Sequence, residues 1–414
     1  MTSPPPAAPK RLAFISSNPA WGGSEELWSA AAAELAAAGH HVTIIKGDLS
    51  GNSPRLKRLR DLGCTMIDLK RLPLMPRRTY EFLANFAWPT AFAIQALRLR
   101  YALKKAKAEL VIVSQGGNID GLFHLKRVRK RGYAYGIICQ KAAEMYWPTD
   151  RYLGDMQDAY RDARFVWFVS EHNRRLTEEQ LGRSLPQAAV VRNPFLVPWE
   201  ERFDWPEGEG LRLACVGRLF PREKGQDIIL RVLAREKWRA RPVSVTFFGS
   251  GDHRIGLEQT ARYLGVENAR FGGHSDDVAG IWNNHHGLFL PSHCEGLPLV
   301  LVETMLQGRV PIVTRVAGNP EVVEDGVTGF LAAAPTDDAV DEALERAWQE
   351  RERWPEIGRA AARSIRATVP RDPAASLAEM IVAAAEGRTL APESFLEPVL
   401  RDGPSTRDPI KVLL

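Results

Sequence analysis

The sequence predicts an α/β protein of two domains, each built on a parallel sheet and facing the other across a cleft. Three observations lead there. Short β-branched runs alternate with longer helical patterns from RLAFISS onward, and strands alternating with helices give parallel sheets covered on both faces. The alternation breaks once, at the polar, Pro- and Trp-bearing segment NPFLVPWEERFDWPEGEG, and then resumes. At 414 residues the chain is also too long for one ordinary core.

In order, the first βαβ unit is the strand RLAFISS, the loop NPAWGG, a helix from about Ser24 to Ala38 and the strand HVTIIKG. Ser24 suits the N-cap, Glu25 and Glu26 lie where the helix dipole favours acids, and Gly39 suits the position after the C-cap. ELVIVSQ, YAYGIICQ and FVWFVSE follow as strands, the last leading into the helix EHNRRLTEEQLG, and AAVVRNP closes this half. The second series reads LRLACVGR, VSVTFFGSG, ARFGG, GLFLPS, VPIVTRV and GFLAA, and after about residue 338 the chain is helical. The expected divisions are a disordered leader over residues 1–9, one domain over 10–197, a second over 198–365, and a closing helix and tail over 366–414 that return to the first domain. No fixed-period repeat occurs, which excludes a solenoid.

The composition, 45% hydrophobic and 25% charged, is that of a soluble globular protein. Cys64, Cys139, Cys215 and Cys294 are far apart with no C-x-x-C spacing, which reads as reduced thiols in a cytosolic compartment. The first residues, MTSPPPAAPK, lack a signal-peptide apolar region. No stretch approaches the roughly 20 apolar residues needed to span a bilayer. The net charge of +5 understates a clustering of cations in residues 55–78, 98–107 and 126–131. These are either solvated helical faces or a peripheral hold on an anionic lipid or anionic acceptor. Between them, residues 82–97 (FLANFAWPTAFAIQAL) read as a crossover helix in the core or as an interfacial anchor.

The residues with chemistry lie at strand ends. Glu295 and Glu303, eight positions apart, share the run PSHCEGLPLVLVETMLQG, and Arg218 and Lys224 share GRLFPREKGQD. Ionised carboxylates suit sugar and ribose hydroxyls, whereas guanidinium and ammonium groups suit phosphate. Together they describe a pocket for a nucleotide-diphosphate sugar. In open α/β sheets ligands bind beyond the carboxyl ends of the strands. Gly217 and Arg218 follow LACV there, Gly249 and Gly251 follow VTFF, and Glu295 follows LFLPS. Gly296 and Pro298 suit a turn into a helix whose free N–H groups would form an anion site. Taken singly, Glu295 reads equally well as a capping acid and Glu303 as a surface acid.

GRLFPREKGQD, FFGSGD, PSHCEGLPLVLVETMLQGRVPIVTRVAGNPEVVEDGVTGFL and the early WGGSEELWS resemble the retaining GT-B glycosyltransferases of family 4, a group that includes glycogen-synthase-like and mannosyltransferase-like enzymes. The resemblance covers roughly residues 11–365 and implies two Rossmann-like domains. It implies further that Arg218 and Lys224 bind the donor pyrophosphate and stabilise the departing nucleotide, and that Glu303 holds the ribose hydroxyls. Glu295, with the backbone N–H groups of Gly296 and Leu297, would face the donor sugar. Gly22 and Gly23 would approach the phosphates across the cleft, and His274 with Ser275 would border the base. Many relatives carry a histidine near the donor sugar, where this chain has Gln115 in VIVSQGGN or Gln140 in IICQKAAE. Either glutamine can hydrogen-bond a hydroxyl, and a buried, satisfied amide is an equal reading. The implied reaction moves a sugar from a nucleotide-diphosphate sugar to an unidentified hydroxyl acceptor, with retention. No D-x-D occurs, so neither a metal nor another cofactor is expected.

The rival readings have weaker support. A nucleotide-sugar epimerase shares the two-domain shape, but the first βα turn, SSNPAWGGSEE, is no G-x-G-x-x-G. A non-catalytic sugar-nucleotide-binding module would have little use for the full set of two acids and two cations. There is no G-x-S-x-G and no H-E-x-x-H, and His285 with His286 reads as a cap or a solvated face. Basic clusters without a recognisable module give no reason to expect nucleic acid.

Overall fold

The computed structural model describes residues 8–18, 21–49, 53–71, 88–200, 204–208 and 210–397. The leader up to residue 7, residues 19–20 of the first loop, residues 72–78 of the first basic run, residues 82–87 of the apolar run and the tail beyond residue 397 lie outside the described residues.

Two parallel sheets carry the chain. The first holds β1 (Arg11–Ser16), β2 (His41–Lys46), β3 (Thr65–Asp68), β4 (Leu110–Gly117), β5 (Tyr135–Lys141), β6 (Val166–Phe168) and β7 (Ala188–Val190), in the order β3-β2-β1-β4-β5-β6-β7. The second holds β8 (Leu211–Val216), β9 (Val243–Phe248), β10 (Ala269–Gly273), β11 (Gly287–Leu290), β12 (Val310–Thr314) and β13 (Phe330–Ala332), in the order β10-β9-β8-β11-β12-β13. Both are Rossmann-like. In each, the strand order reverses beside the first strand, between β1 and β4 and between β8 and β11. A reversal of that kind opens a crevice at the carboxyl ends of the strands.

The apolar runs explain the layering. Successive side chains of a strand point to opposite faces, so in β1 Leu12 and Phe14 enter one core while Ala13 and Ile15 enter another. The first of these cores also takes Leu377, Met380 and Ile381 from the helix Pro373–Ala385 near the end of the chain. That helix therefore completes the N-terminal domain. The C-terminal domain has its own core around Leu213, Phe247, Trp282 and Trp354.

Three local expectations need correction. TMID forms the short edge strand β3, which the surrounding charge run hid. The first helix spans Gly23–Ala37 with Gly22 as its N-cap, because the Ser24 hydroxyl is taken by Asn18 Nδ2 at 2.7 Å. Of the two readings of His285 and His286, the solvated face fails because both are buried, and the cap stands at His285, the C-cap of the helix Val278–Asn284. His285 Nδ1 meets the carbonyl of Ile281 at 2.8 Å, while the His286 ring joins Arg212 N and the Pro206 carbonyl, each at 3.0 Å, fastening the interdomain segment to its domain. All four cysteines are free and buried.

A fully buried ion pair fixes the start of the first helix. Lys46 Nζ, at the end of β2, lies 2.8 Å from Glu25 Oε2 and 3.1 Å from Ser16 Oγ, and both charged side chains are 1% exposed. Trp28 Nε1 and Asn18 Nδ2 donate to the same carboxylate. Removing one partner of such a pair leaves an uncompensated buried charge. Lys46→Ala is expected to lower the unfolding free energy in urea by about 3–5 kcal/mol. The double variant Lys46→Met with Glu25→Leu should lose clearly less.

Candidate functional site

The crevice between β8 and β11 gathers the charged residues. Arg218 leaves β8, Lys224 ends the short helix Pro221–Lys224, and Glu295 lies in the loop after β11. Lys224 Nζ meets Glu295 Oε1 at 2.6 Å, and Ser292 Oγ donates to the same oxygen at 2.7 Å. Both partners are largely buried. Arg218 is the exposed member at 63%, and its guanidinium donates to Glu223 Oε2 at 2.9 Å. Its head can therefore turn to an incoming anion, leaving the buried Glu223 still paired with Lys141.

Glu223 is a residue the sequence reading passed over. Besides Arg218 it receives Lys141 Nζ, from the end of β5 in the other domain, at 2.7 Å, and the Tyr146 hydroxyl at 3.2 Å. Burial would raise its pKa, but Lys141, Arg218 and Lys224 outweigh burial and hold it below the ordinary carboxylate value. Burial likewise works against the charge on Lys141, and Cys294, Glu223 and Glu295 more than offset it, leaving the pKa raised. Lys141 is thus a third cation at the cleft. A lysine directly after the buried strand run YGIICQ was the available signal.

Backbone approach brings the two domains together at Gly296. A methyl group there would sit 2.0 Å from the carbonyl oxygen of Gln140, so only glycine permits this contact. Gly318 N donates to Gly296 O at 2.9 Å, and Glu321 reaches the opposite domain to accept from His172 N at 2.8 Å. Leu297 is buried in the C-terminal core. Gly22 has open space around it, and Gly23 faces Leu299, with a methyl at Gly23 lying 3.3 Å from Leu299 Cδ1. The N-terminal glycine loop therefore stands over the start of the helix Leu299–Leu306.

Glu303 lies on that helix with a different environment. It is 4% exposed and has no cation beside it among the described residues; its Oε1 accepts from Leu196 N at 2.9 Å. Burial raises its pKa to about 7, the Leu196 N–H opposes this, and Glu26 across the cleft adds to it. The carboxylate keeps unused acceptor capacity.

Other sequence candidates are placed differently. Gly249, at φ +132°, and Gly251 pack backbone against backbone: methyl groups there would lie 2.0 Å from Gly217 O and 2.4 Å from Leu219 O. With Leu219 N donating to Ser250 O at 2.9 Å, the loop 249–251 fixes the path of Gly217 and Arg218. His274, exposed, and Ser275, half-buried, follow the edge strand β10, and no contact joins them to the charged group among the described residues. Gln115 is wholly internal. Its amide donates to the Tyr160 hydroxyl at 2.6 Å and accepts from Gly121 N at 2.9 Å, and with no surface exposed it is the buried, satisfied amide. Gln140 is buried beside Gly296, and its Nε2 finds no acceptor.

Residues 210–350 match the family model described as "Glycosyl transferases group 1". A glycogen synthase of Pseudomonas syringae is 27% identical over 150 residues, covering 36% of this chain and 31% of that protein. A GDP-mannose-dependent alpha-(1-6)-phosphatidylinositol monomannoside mannosyltransferase of Mycolicibacterium smegmatis is 29% identical over 208 residues, covering 44% of this chain and 52% of that protein. The chain thus spans about a third to a half of the length of these curated relatives. Among solved structures, Anabaena HepE in complex with UDP and glucose superimposes with a TM-score of 0.71 at 15% identity, over 90% of this chain and 99% of that one. Sucrose-phosphate synthase of Thermosynechococcus elongatus gives 0.70 at 18% identity, over 91% and 99%. The fold is GT-B.

The raised Glu303 pKa has a sign that can be checked. An acid whose folded pKa exceeds its unfolded value of 4.5 binds more protons when folded, so its ionisation subtracts stability as pH rises from about 4.5 to 7 and fully above that. Glu303→Gln keeps the acceptor for Leu196 N and removes the charge. Urea unfolding of the unliganded variant at pH 8 should therefore show a gain on the order of 2 kcal/mol, shrinking as pH falls towards 4.5. An unchanged difference at both pH values would contradict the buried, uncompensated carboxylate.

Proposed function

We propose that the protein is a retaining, metal-independent hexosyltransferase of glycosyltransferase family 4, moving a sugar from a nucleotide-diphosphate sugar to a hydroxyl acceptor. The observation that supports this reading is the charged group between the domains, Arg218 and Lys141 on Glu223 and Lys224 on Glu295, with the Gly22–Gly23 loop over the start of the helix that carries Glu303. The solved relative holding UDP and glucose supports a nucleotide sugar as donor.

In this mechanism the diphosphate enters between Arg218 and Lys224. As the glycosidic bond stretches, negative charge grows on the leaving phosphate, and cations already in place stabilise it without reorganisation. Arg218 swings from Glu223, and Lys224 stays anchored by Glu295. Glu303 accepts hydrogen bonds from the ribose diol, which favours its ionised form, so donor affinity rises with pH through about 7. Glu295 and the Gly296 and Leu297 N–H groups face the donor sugar, and Gln140 Nε2 donates to one of its hydroxyls. Gly217, Gly249 and Gly251 act by holding the loop that bears Arg218. His274 and Ser275 border the base only if the nucleotide reaches the β10 end of the sheet.

Among the described residues no helix is long and apolar enough to cross a membrane. The same reading has the enzyme work in the cytoplasm, with its basic N-terminal domain against an anionic partner, membrane or acceptor.

The test is turnover by purified variants. Arg218→Ala and Lys224→Ala should each lower the rate of nucleotide release by about 10²–10³-fold; circular dichroism should stay near that of the parent chain for both, with melting near parental for the exposed Arg218 and lowered for Lys224, whose loss leaves the buried Glu295 without its cation. The donor is found by melting the protein with UDP, GDP, ADP and their sugars, since a ligand bound only by the folded state raises the midpoint. Normal turnover by either variant would remove the assignment.

A further inference from the structure

The basic runs scattered through the first half of the sequence converge on one surface. Arg100 and Lys104, from the helix Trp88–Ala106, face Lys126, Arg127, Lys130 and Arg131, from the helix Leu122–Lys130 and its end. With Tyr133 they line a groove of about 770 Å³. Among the described residues only Lys126, paired with Asp155, meets a carboxylate. Arg127 instead caps the Phe123 carbonyl, at 2.8 Å, and Arg131 donates to the Arg127 carbonyl at 3.2 Å. Six cations lining one groove with a single acid partner repel one another and favour an anionic occupant.

Beside the cations is an apolar rim. Leu97 and Tyr101 are 56% and 46% exposed, one turn apart on the helix that carries Arg100 and Lys104. Residues three and four apart share a helix face. Leu97, Arg100, Tyr101 and Lys104 therefore form one mixed stripe. A long aliphatic side chain and an aromatic ring next to cations suit the boundary between lipid headgroups and acyl chains.

The groove is also at the wrong end for an acceptor. Its residues close helices that feed the amino ends of β4 and β5, whereas the cleft opens at the carboxyl ends of the strands. A hydroxyl held in the groove would be a whole sheet length from the cleft.

We propose that this groove and its Leu97–Tyr101 rim form a docking surface for an anionic lipid bilayer. The surface narrows the anionic contact of the functional reading to a membrane, and it does not depend on donor chemistry.

The test is cosedimentation of the full chain with vesicles of phosphatidylcholine alone and of phosphatidylcholine mixed with phosphatidylglycerol. Binding is expected only to the anionic vesicles and should weaken with salt. Replacing Arg100, Lys104, Lys130 and Arg131 together by Gln should lower the partition coefficient by at least about a hundredfold, since each near-surface cation contributes about fivefold. Leu97→Ser with Tyr101→Ser should lower it by about tenfold through lost apolar burial. The same pair should leave binding to soluble polyphosphate unchanged. Nucleotide-induced melting shifts, unaltered in all variants, would establish that the fold and donor site persist. Equal vesicle binding by the charge variant would overturn the proposal. So would an unaltered partition of the Leu97 and Tyr101 variant, which would mark the groove as a polyanion site instead.

Discussion

Glu223 is the carboxylate on which the cleft depends, because it neutralises cations from both domains at once. Arg218 follows β8 and Lys141 ends β5, and the two meet at opposite oxygens of this one side chain. Charges taken out of water need partners. A site with Arg218, Lys224 and Lys141 and no acid would be repulsive and would force the domains apart. With Glu223 and Glu295 present, settling the charge and fixing the approach of the domains become one interaction. The contacts around it follow, from the glycine required at 296 to the reach of Glu321 into the N–H groups that open the helix Glu171–Leu181.

The same chemistry separates two glutamates that the sequence presents as a pair. Glu295 is tied to Lys224 and Ser292. Glu303 has one backbone donor and an acid, Glu26, across the cleft, and burial raises its pKa to about 7. A carboxylate already bound to a cation orients that cation. One that is dry and underused gains most from a ligand offering hydroxyl donors. The proposed division of labour, cation anchor against diol acceptor, thus comes from surroundings and not from residue type.

The alternating pattern and the strand-end position of the charged motifs were readable because both rest on local rules. A run such as LVIV in β4 is buried on two faces, and period and composition reveal that without tertiary knowledge. β3 was lost because TMID is four residues long and sits among cations that look solvated. Gly22 replaced Ser24 as N-cap through a side-chain contact from Asn18, which no pattern announces. Glu223 and Lys141 were missed for a common reason. Their meaning lies in a contact between positions 82 residues apart, on different domains. Of the two histidines, His285 is the cap that its place at a helix end suggests, while the solvated alternative fails because the segment that covers His286 leaves no local pattern.

Gln115 and Gln140 show where resemblance stops and geometry takes over. Each lies near the carboxyl end of one of two neighbouring strands, and either could replace a histidine. Gln115 spends its donor on Tyr160 and its acceptor on Gly121, so the amide is a brace for the turn after β4. Gln140 keeps Nε2 buried and unmatched next to Gly296, where a donor costs about 1–3 kcal/mol to leave unpaired. Such a cost persists at a place that something else fills. In the proposed reaction a sugar hydroxyl is that partner, and the amide and the donor satisfy each other.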